Sequence, residues 1–165
     1  MANHCYDFDY LAALMPPLGR KTKNTTSKGV FDMTKKIIQS DRLVKSLGPF
    51  SQGVAWSGNK EELIFISGTT ARNEKGEIVG KGDIKAQTVQ VLENIKAVLE
   101  AAGATMDDVL KVNVYVKDMD HLAEINEVRS RYWKGNYPAS ALIAVKGFVN
   151  EDILIEIEAI AARQV

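Results

Sequence analysis

The sequence of 165 residues predicts one α+β domain, a two-layer sandwich in which two helices cover one face of a mixed β-sheet. The length suits a single domain and is short for two. Hydrophobic residues make up 45% of the chain and charged residues 25%, the balance of an ordinary globular protein. Segments with strand and helix periodicity follow in the order strand, strand, strand, helix, strand, helix, strand, strand.

The first three strands are predicted from short apolar, β-branched segments bounded by turn residues. They are KKIIQS at residues 35–40, the stretch after Gly48-Pro49 that ends at Gly58, and ELIFISGTT at residues 62–70. The polar loop Gly58–Glu61 between the last two is typical of an antiparallel hairpin.

Residues 83–103 predict the first helix, because apolar residues recur there at helical spacing. Asp83 is expected to cap its start, and Gly103 is expected to end it. The inward face is expected to hold Ile84, Val91, Leu92, Ile95, Val98, Leu99 and Ala102. The polar face is expected to hold Gln87, Gln90, Glu93, Asn94 and Lys96.

Three more strands and a second helix follow. Residues 109–116 predict a half-buried strand with Val109, Lys111, Asn113 and Tyr115 on one face and Leu110, Val112, Val114 and Val116 on the other. The second helix is predicted over residues 119–134, with Leu122, Ile125, Val128 and Tyr132 inward. SALIAVKGF at 140–148 and DILIEIEAIAAR at 152–163 complete the sheet.

One face of the predicted sheet is left without helices. Both alternating sets of residues in 140–148 are apolar or small, and in the last strand Glu156 and Glu158 share the face opposite to Ile155 and Ile157. Two carboxylates on one sheet face require solvent or polar partners. We therefore expect further copies of the chain to cover this face, and a closed ring is one way to do so.

Charge and cysteine content argue against several classes of function. Lys plus Arg and Asp plus Glu both number 21, so the formal net charge is zero and nucleic acid is not an expected partner. Cys5 is the single cysteine, which is typical of a reducing compartment such as the cytoplasm. His4 and His121 lie far apart, and no metal site is predicted. No membrane span or signal peptide is predicted either.

Residues 1–33 are predicted to form an N-terminal extension, and the domain itself is expected to span residues 34–165. The extension contains Pro16-Pro17 and the polar run Gly19–Gly29. Two interpretations are open: a disordered tail, or a segment that docks on a partner or a neighbouring subunit. The docking residues would be Tyr6, Phe8, Tyr10, Leu11, Leu14 and Met15.

An ordered series of segments resembles the RidA family, also called YjgF/YER057c/UK114. The series is LGPFSQGV, FISGTT, the stretch from GEIVGKGD to VYVKDM, INEV, YPAS and ILIEIEAIAAR, and the resemblance covers residues 34–163. It implies a chorismate-mutase-like α+β fold and a homotrimer whose three sheets form a central barrel. It also implies a site for a small-molecule ligand in each cleft between subunits.

The resemblance further implies an activity: hydrolysis of reactive enamines and imines, such as 2-aminoacrylate and its imine tautomer, to a 2-keto acid and ammonia. This chemistry needs no metal or organic cofactor. Family members hold the substrate carboxylate with an arginine directly after PA, because the planar guanidinium fork matches two carboxylate oxygens. The family also carries a ribonuclease label, which the zero net charge does nothing to support.

Several functional positions of the family are kept in this chain. The resemblance assigns Glu156 to positioning water or moving a proton, and it places Asn126 in the cleft as a second catalytic residue. Ser67 and Gly68 match the SG at the end of a strand that lines the cleft. From the residues alone, Glu156 is equally compatible with a structural carboxylate, and Asn126 with a residue that caps or bridges loops.

Other positions depart from the family pattern. Phe50 replaces a tyrosine, and Ser140, which shares the cleft with Leu142, replaces the arginine. Hydrogen bonds to a charged group contribute about 1.5–3 kcal/mol each, so this loss weakens carboxylate binding by about a hundredfold or more. A cation from the same or a neighbouring subunit is one possible substitute for the arginine. Arg72 is the leading candidate, and Lys146 and Arg131 are weaker ones.

Three classes of function are therefore open. The first is a RidA-like imine deaminase with altered or reduced activity on 2-imino acids. The second is a trimer that binds a small metabolite without converting it. The third is an interaction role carried by residues 1–33. The enzyme is preferred, because loss of the arginine removes one substrate class and leaves the cleft available for another.

Overall fold

The structure is a computed structural model that describes residues 34–45, 51–58 and 60–164. The predicted extension, residues 1–33, and the predicted site residue Phe50 lie outside the described residues. The predicted α+β sandwich is confirmed: six strands form one mixed sheet, and two helices pack on one of its faces.

The strands are β1 (Thr34–Ile38), β2 (Gly53–Gly58), β3 (Glu61–Thr70), β4 (Val109–Val116), β5 (Ala139–Ala144) and β6 (Ile155–Gln164). Helix α1 spans Ile84–Ala101, and helix α2 spans Leu122–Tyr132. Short 3₁₀ turns at Met106–Asp108 and Met119–His121 precede β4 and α2. No helix in the described part of the chain has both the length and the apolar character needed to cross a membrane.

The strands lie in the order β1-β2-β3-β6-β4-β5. All neighbouring pairs are antiparallel except β4 and β5, which are parallel because α2 forms the crossover between them. The chain's last strand, β6, therefore sits inside the sheet between β3 and β4, whereas β5 lies at an edge. In this register Ser140 is opposite Val112, and Leu142 is opposite Val114.

Helix α1 forms as its sequence predicts. Asp83 Oδ1 accepts a hydrogen bond from the Ala86 amide at 3.0 Å, and Gly103 takes φ +75° just after the last turn. The predicted polar face is wrong at two positions, because Gln87 is 0% and Asn94 4% exposed. Both amides are buried because distant backbone groups supply hydrogen-bond partners for them.

Gln87 connects three segments of the chain. Its Nε2 donates to the carbonyls of Asp152 at 2.7 Å and Gly80 at 3.2 Å. Its Oε1 accepts from the amide of Leu154 at 2.9 Å. The side chain thereby fixes the loop that leads into β6.

Two strands contain an extra residue that shifts their alternation. In β4 the register to β6 slips between Val109 and Lys111, so Leu110 is exposed while Val109 and Val112 are both buried. The predicted faces of Val109 and Leu110 are therefore both wrong. In β3 the register slips between Ile66 and Thr69, and this second bulge contains Ser67 and Gly68.

Helix α2 packs on the sheet through Ile125 and Val128, which are fully buried. The predicted inward position of Leu122 is wrong: this first residue of the helix is 42% exposed. After the helix, Trp133 is buried, and its Nε1 donates to the Met106 carbonyl at 2.9 Å.

The sheet face opposite the helices, here called the open face, is partly apolar. Its large exposed side chains, each between 36% and 48% exposed, are Ile37, Trp56, Leu63, Phe65 and Ile143. Glu156 and Glu158 lie on the same face, because Ile155 and Ile157 beside them are buried under the helices.

We expect Gln87→Ala to lower the free energy of unfolding by about 2–4 kcal/mol, because hydrogen bonds are lost and a buried amide is left without a partner. Urea denaturation measures this. Lys96→Ala on the same helix is the matched control, with an expected change below about 0.5 kcal/mol. Equal effects of the two substitutions would show that Gln87 does not fix the loop before β6.

Candidate functional site

A cavity of about 480 Å³ lies where β3 ends beside β6. Four residues predicted from the sequence border it: Ser67, Gly68, Arg72 and Glu156. Gln52 and Asn94 also border it, and both are buried polar residues. The structure thus brings half of the predicted site residues to one place.

The bulge in β3 shapes this cavity. Ser67 and Gly68 together face a single residue of β6, and the Ser67 Oγ donates to the Ser51 carbonyl at 2.8 Å. A Cβ atom built on Gly68 would lie 2.0 Å from Oε1 of Glu156. The Glu156 carboxylate is therefore packed directly on the Gly68 backbone, a contact that a glycine permits.

Glu156 is the candidate acid or base of the cavity. Burial raises the pKa of its carboxyl group above the ordinary value, and the negative charge of Glu158 raises it further. No described residue forms a hydrogen bond or ion pair with the Glu156 carboxylate. The group is therefore available to a ligand or a water molecule.

Glu158 has a different environment although it is two residues away on the same strand face. Its Oε1 accepts hydrogen bonds from Asn113 Nδ2 at 2.6 Å and from the Tyr115 hydroxyl at 3.0 Å. The hydrogen bond to Glu158 raises the pKa of the Tyr115 hydroxyl. Glu158 is thus held by its own protein neighbours, which distinguishes it from Glu156.

Arg72 supplies positive charge to the cavity. Its Nη1 donates to the Gly76 carbonyl at 2.5 Å, and Asn94 holds the local backbone by donating to the carbonyls of Thr70 and Arg72 at 3.0 and 2.9 Å. Lys45 borders the same cavity. An anionic ligand near Glu156 would therefore meet two cationic side chains.

Asn126 and Ser140 meet at a second place, on α2 and the first residues of β5. Arg129 joins them: its Nη2 donates to Ser140 Oγ at 2.8 Å, and its Nη1 donates to Asn126 Oδ1 at 3.3 Å. The Arg129 Nε is buried and has no hydrogen-bond partner among the described residues. Arg129, Asn126 and Ser140 are called the arginine cluster below.

Glu156 and the arginine cluster lie on different faces of the sheet within one chain. Glu156 belongs to the open face, whereas Ser140 is paired with the buried Val112 and faces the helices. Leu142, the remaining predicted site residue, packs against the hydrophobic core on that helix side. The described residues contain no group of His, Cys, Asp and Glu side chains that would hold a metal ion.

The cation beside Ser140 is Arg129, which the sequence reasoning did not name. Arg131 instead donates from Nη2 to Glu127 Oε1 at 2.5 Å, and Lys146 is exposed. Gln52 and Lys45 were also missed. A usable signal existed for Arg129, because residues 126 and 129 are three apart and therefore share a helix face.

Comparison with known proteins gives a family-level match. A family profile described as "Endoribonuclease L-PSP" matches residues 40–163. A RutC family protein of Pyrococcus horikoshii is 48% identical over 131 residues, which cover 79% of this chain and 99% of that protein.

Solved structures with the same fold agree with this match. The YjgF gene product of E. coli has a TM-score of 0.68 and 35% identity, covering 78% of this chain and 98% of that one. E. coli TdcF, solved with bound serine, has a TM-score of 0.69 and 34% identity, again covering 78% and 98% of the two chains.

We expect Gly68→Ala to displace the Glu156 carboxylate, because the new methyl group would overlap Oε1. The displaced group becomes better hydrated, so the pKa of Glu156 should return toward its ordinary value with little change in Tm. Carbon-13 NMR of the carboxyl group measures this titration. Gly147→Ala is the control, because its Cβ would meet no atom within 4 Å. An unchanged titration in Gly68→Ala would contradict the packing of Glu156 on Gly68.

We expect Glu156→Gln to be more stable than the unaltered chain at pH 8. A carboxyl group whose folded-state pKa is raised binds its proton more tightly in the native state, so stability falls as the pH rises through the interval above 4.5, its unfolded value. The difference in Tm between the two proteins should vanish below that pH. Glu74→Gln, at an exposed loop carboxylate, is the control. A Tm difference that is the same at pH 4 and pH 8 would rule out this linkage.

Proposed function

The chain belongs to the RidA/YjgF family, and from that premise we propose that it hydrolyses reactive imines and enamines to a carbonyl compound and ammonia. The proposal rests on one observation above all: Glu156 presents an unpaired, half-buried carboxyl group of raised pKa to a cavity that also holds Arg72. Groups with perturbed pKa values in a cavity are candidates for proton transfer.

The proposed reaction uses water as the nucleophile. Glu156 removes a proton from water as its oxygen adds to the imine carbon, and the C=N bond becomes a single bond. Glu156 first returns that proton to the nitrogen, which gives a neutral amino alcohol. It then takes the proton of the new hydroxyl group and passes it to the nitrogen as the C–N bond breaks, the C=O bond forms and ammonia leaves. A pKa raised toward neutrality suits a group that both accepts and donates a proton.

We further propose that the complete site lies between two copies of the chain, with the cavity from one copy and Asn126 and Ser140 from its neighbour. The two groups of predicted residues lie on different sides of the sheet in one chain, so a single copy does not assemble them. The partly apolar open face gives the copies a reason to associate, and a homotrimer is the assembly that the family suggests.

RNA cleavage is a less suitable reading, although the family profile and several relatives carry an endoribonuclease name. The chain has no net positive charge with which to neutralise a phosphate backbone. His121, the histidine among the described residues, is bonded to Glu124 at 3.0 Å and does not border the cavity.

The second candidate is a metabolite-binding protein without catalysis. It is favoured by Ser140, which stands where the family resemblance leads us to expect an arginine, and by the relative TdcF, which was solved with bound serine. Such a protein would bind a small amino or keto acid in the same cavity and release it unchanged.

We expect the unaltered chain to accelerate ammonia release from imines that an amino-acid oxidase generates in the assay. Glu156→Gln should lower kcat/KM by about 10²–10⁴-fold, because it removes the proton-transfer group. Glu158→Gln on the same strand face is the matched control and should lose less than about tenfold, since Asn113 and Tyr115 can still bond to the amide oxygen. No acceleration with imines of any tested amino acid would favour the binding protein instead.

Mixing inactive variants tests whether two copies share a site. Glu156→Gln and Asn126→Ala are unfolded together and refolded, so that mixed assemblies form. A shared site predicts partial recovery of activity, because one copy supplies Glu156 and its neighbour supplies Asn126. No recovery, with the assembly size unchanged in light scattering, would place both residues in one chain's own site.

A further inference from the structure

Arg129 combines a buried Nε with hydrogen bonds to neutral oxygens only. Its two described acceptors are the Ser140 hydroxyl and the Asn126 side-chain carbonyl. Arg42, Arg131 and Arg163 form ion pairs with glutamates, whereas Arg72, like Arg129, donates to a neutral oxygen. Among the described ion pairs, Arg129 takes part in none.

The guanidinium retains unused donor capacity. Arginine carries five N–H donors in a planar fork. The described hydrogen bonds use one N–H group of Nη1 and one N–H group of Nη2. The buried Nε has no partner among the described residues. Burial also lowers the pKa of Arg129, which means that the site disfavours the positive charge in the absence of an anion.

A guanidinium that lacks an anionic partner and is partly shielded from water lowers the stability of the fold. The partly buried guanidinium has lost some of its hydration, which an anion would replace. A carboxylate is the group whose two oxygens match the arginine fork. The short side chain of Ser140 leaves its hydroxyl as an additional polar contact on one side of the guanidinium. The amide of Asn126 flanks the other nitrogen.

We propose that Arg129 binds the carboxylate of the ligand, so that helix α2 supplies the cation that the family resemblance leads us to expect at the position of Ser140. This inference rests on the proposed function for the location of the reaction, and it names the class of substrate as small 2-imino or 2-oxo acids. Ser140 then positions the guanidinium through its hydroxyl, and Asn126 does the same from within the helix.

The inference changes the expectation drawn from Ser140 alone. A hydroxymethyl group supplies no charge, which predicted weak binding of acidic ligands. With Arg129 beside Ser140, the chain keeps one positive charge at this edge of the sheet, displaced from strand β5 to helix α2. Acidic substrates therefore remain suitable ligands.

Calorimetric titration with pyruvate and with its neutral analogue pyruvamide tests the inference without measuring turnover. The unaltered chain should bind pyruvate more tightly than pyruvamide. Arg129→Met should bind pyruvate about a hundredfold more weakly and pyruvamide unchanged, because a bidentate charged pair is lost. Arg131→Met, two residues further on the same helix and paired with Glu127, is the matched control and should bind both compounds as the unaltered chain does.

Arg129→Lys keeps the charge and removes the fork, so pyruvate should bind about tenfold more weakly. It decides the question if Arg129→Met fails to fold, which thermal denaturation reports. Equal pyruvate affinity in the unaltered chain and in either Arg129 variant overturns the inference. So does an unaltered chain that does not distinguish pyruvate from pyruvamide, or an Arg131→Met variant that loses as much affinity as Arg129→Met.

The outcome is separable from the test of catalysis. A chain that binds pyruvate through Arg129 and hydrolyses no imine would support this inference and contradict the proposed enzyme. A chain that hydrolyses imines equally well with Arg129→Met, and binds pyruvate unchanged, would support the enzyme and contradict this inference.

Discussion

The helix layer covers only one face of the sheet, and the arrangement of functional groups depends on that constraint. Strand β6 lies between β3 and β4 and alternates buried isoleucines with glutamates, so Glu156 and Glu158 must both lie on the open face. Two adjacent carboxylates repel each other and lose hydration when partly covered. The two carboxylates have different surroundings: Asn113 and Tyr115 donate hydrogen bonds to Glu158, whereas Glu156 borders a cavity.

The same constraint explains why the cavity and the arginine cluster are separate. Strand β5 pairs in parallel with β4, and its register turns Ser140 toward the helix side. Arg129 reaches it from α2 because the crossover returns the chain directly beside its own strand. A positively charged side chain therefore lies beside Ser140. The serine after PA in the sequence therefore does not mean that its surroundings lack a positive charge.

Much of the fold was predictable, because it follows from local periodicity. Helix α1, its Asp83 cap and the alternation in β6 were all visible as residue patterns. The bulges in β3 and β4 were not predictable, because one extra residue in a strand does not change its composition. Only the pairing with the neighbouring strand shows the extra residue. The buried amides of Gln87 and Asn94 were missed for a similar reason: their partners lie on loops distant in sequence.

The site was predictable only in part. Glu156, Ser67 and Gly68 were identified by resemblance, and the structure places them together with Arg72. Arg129 was missed because helical spacing shows which residues share a face but not which cation reaches the next strand. That contact depends on how α2 lies against β5, which no local pattern encodes.

The two tryptophans differ in solvent exposure, so their fluorescence reports on different events. Trp133 is enclosed in the core with its indole nitrogen bonded, whereas Trp56 stands partly in water on the open face. Emission from Trp133 would follow the unfolding of the domain. Emission from Trp56 would shift to shorter wavelength when another copy of the chain excludes water from around its indole ring. Folding and assembly are therefore distinguishable by fluorescence without a label.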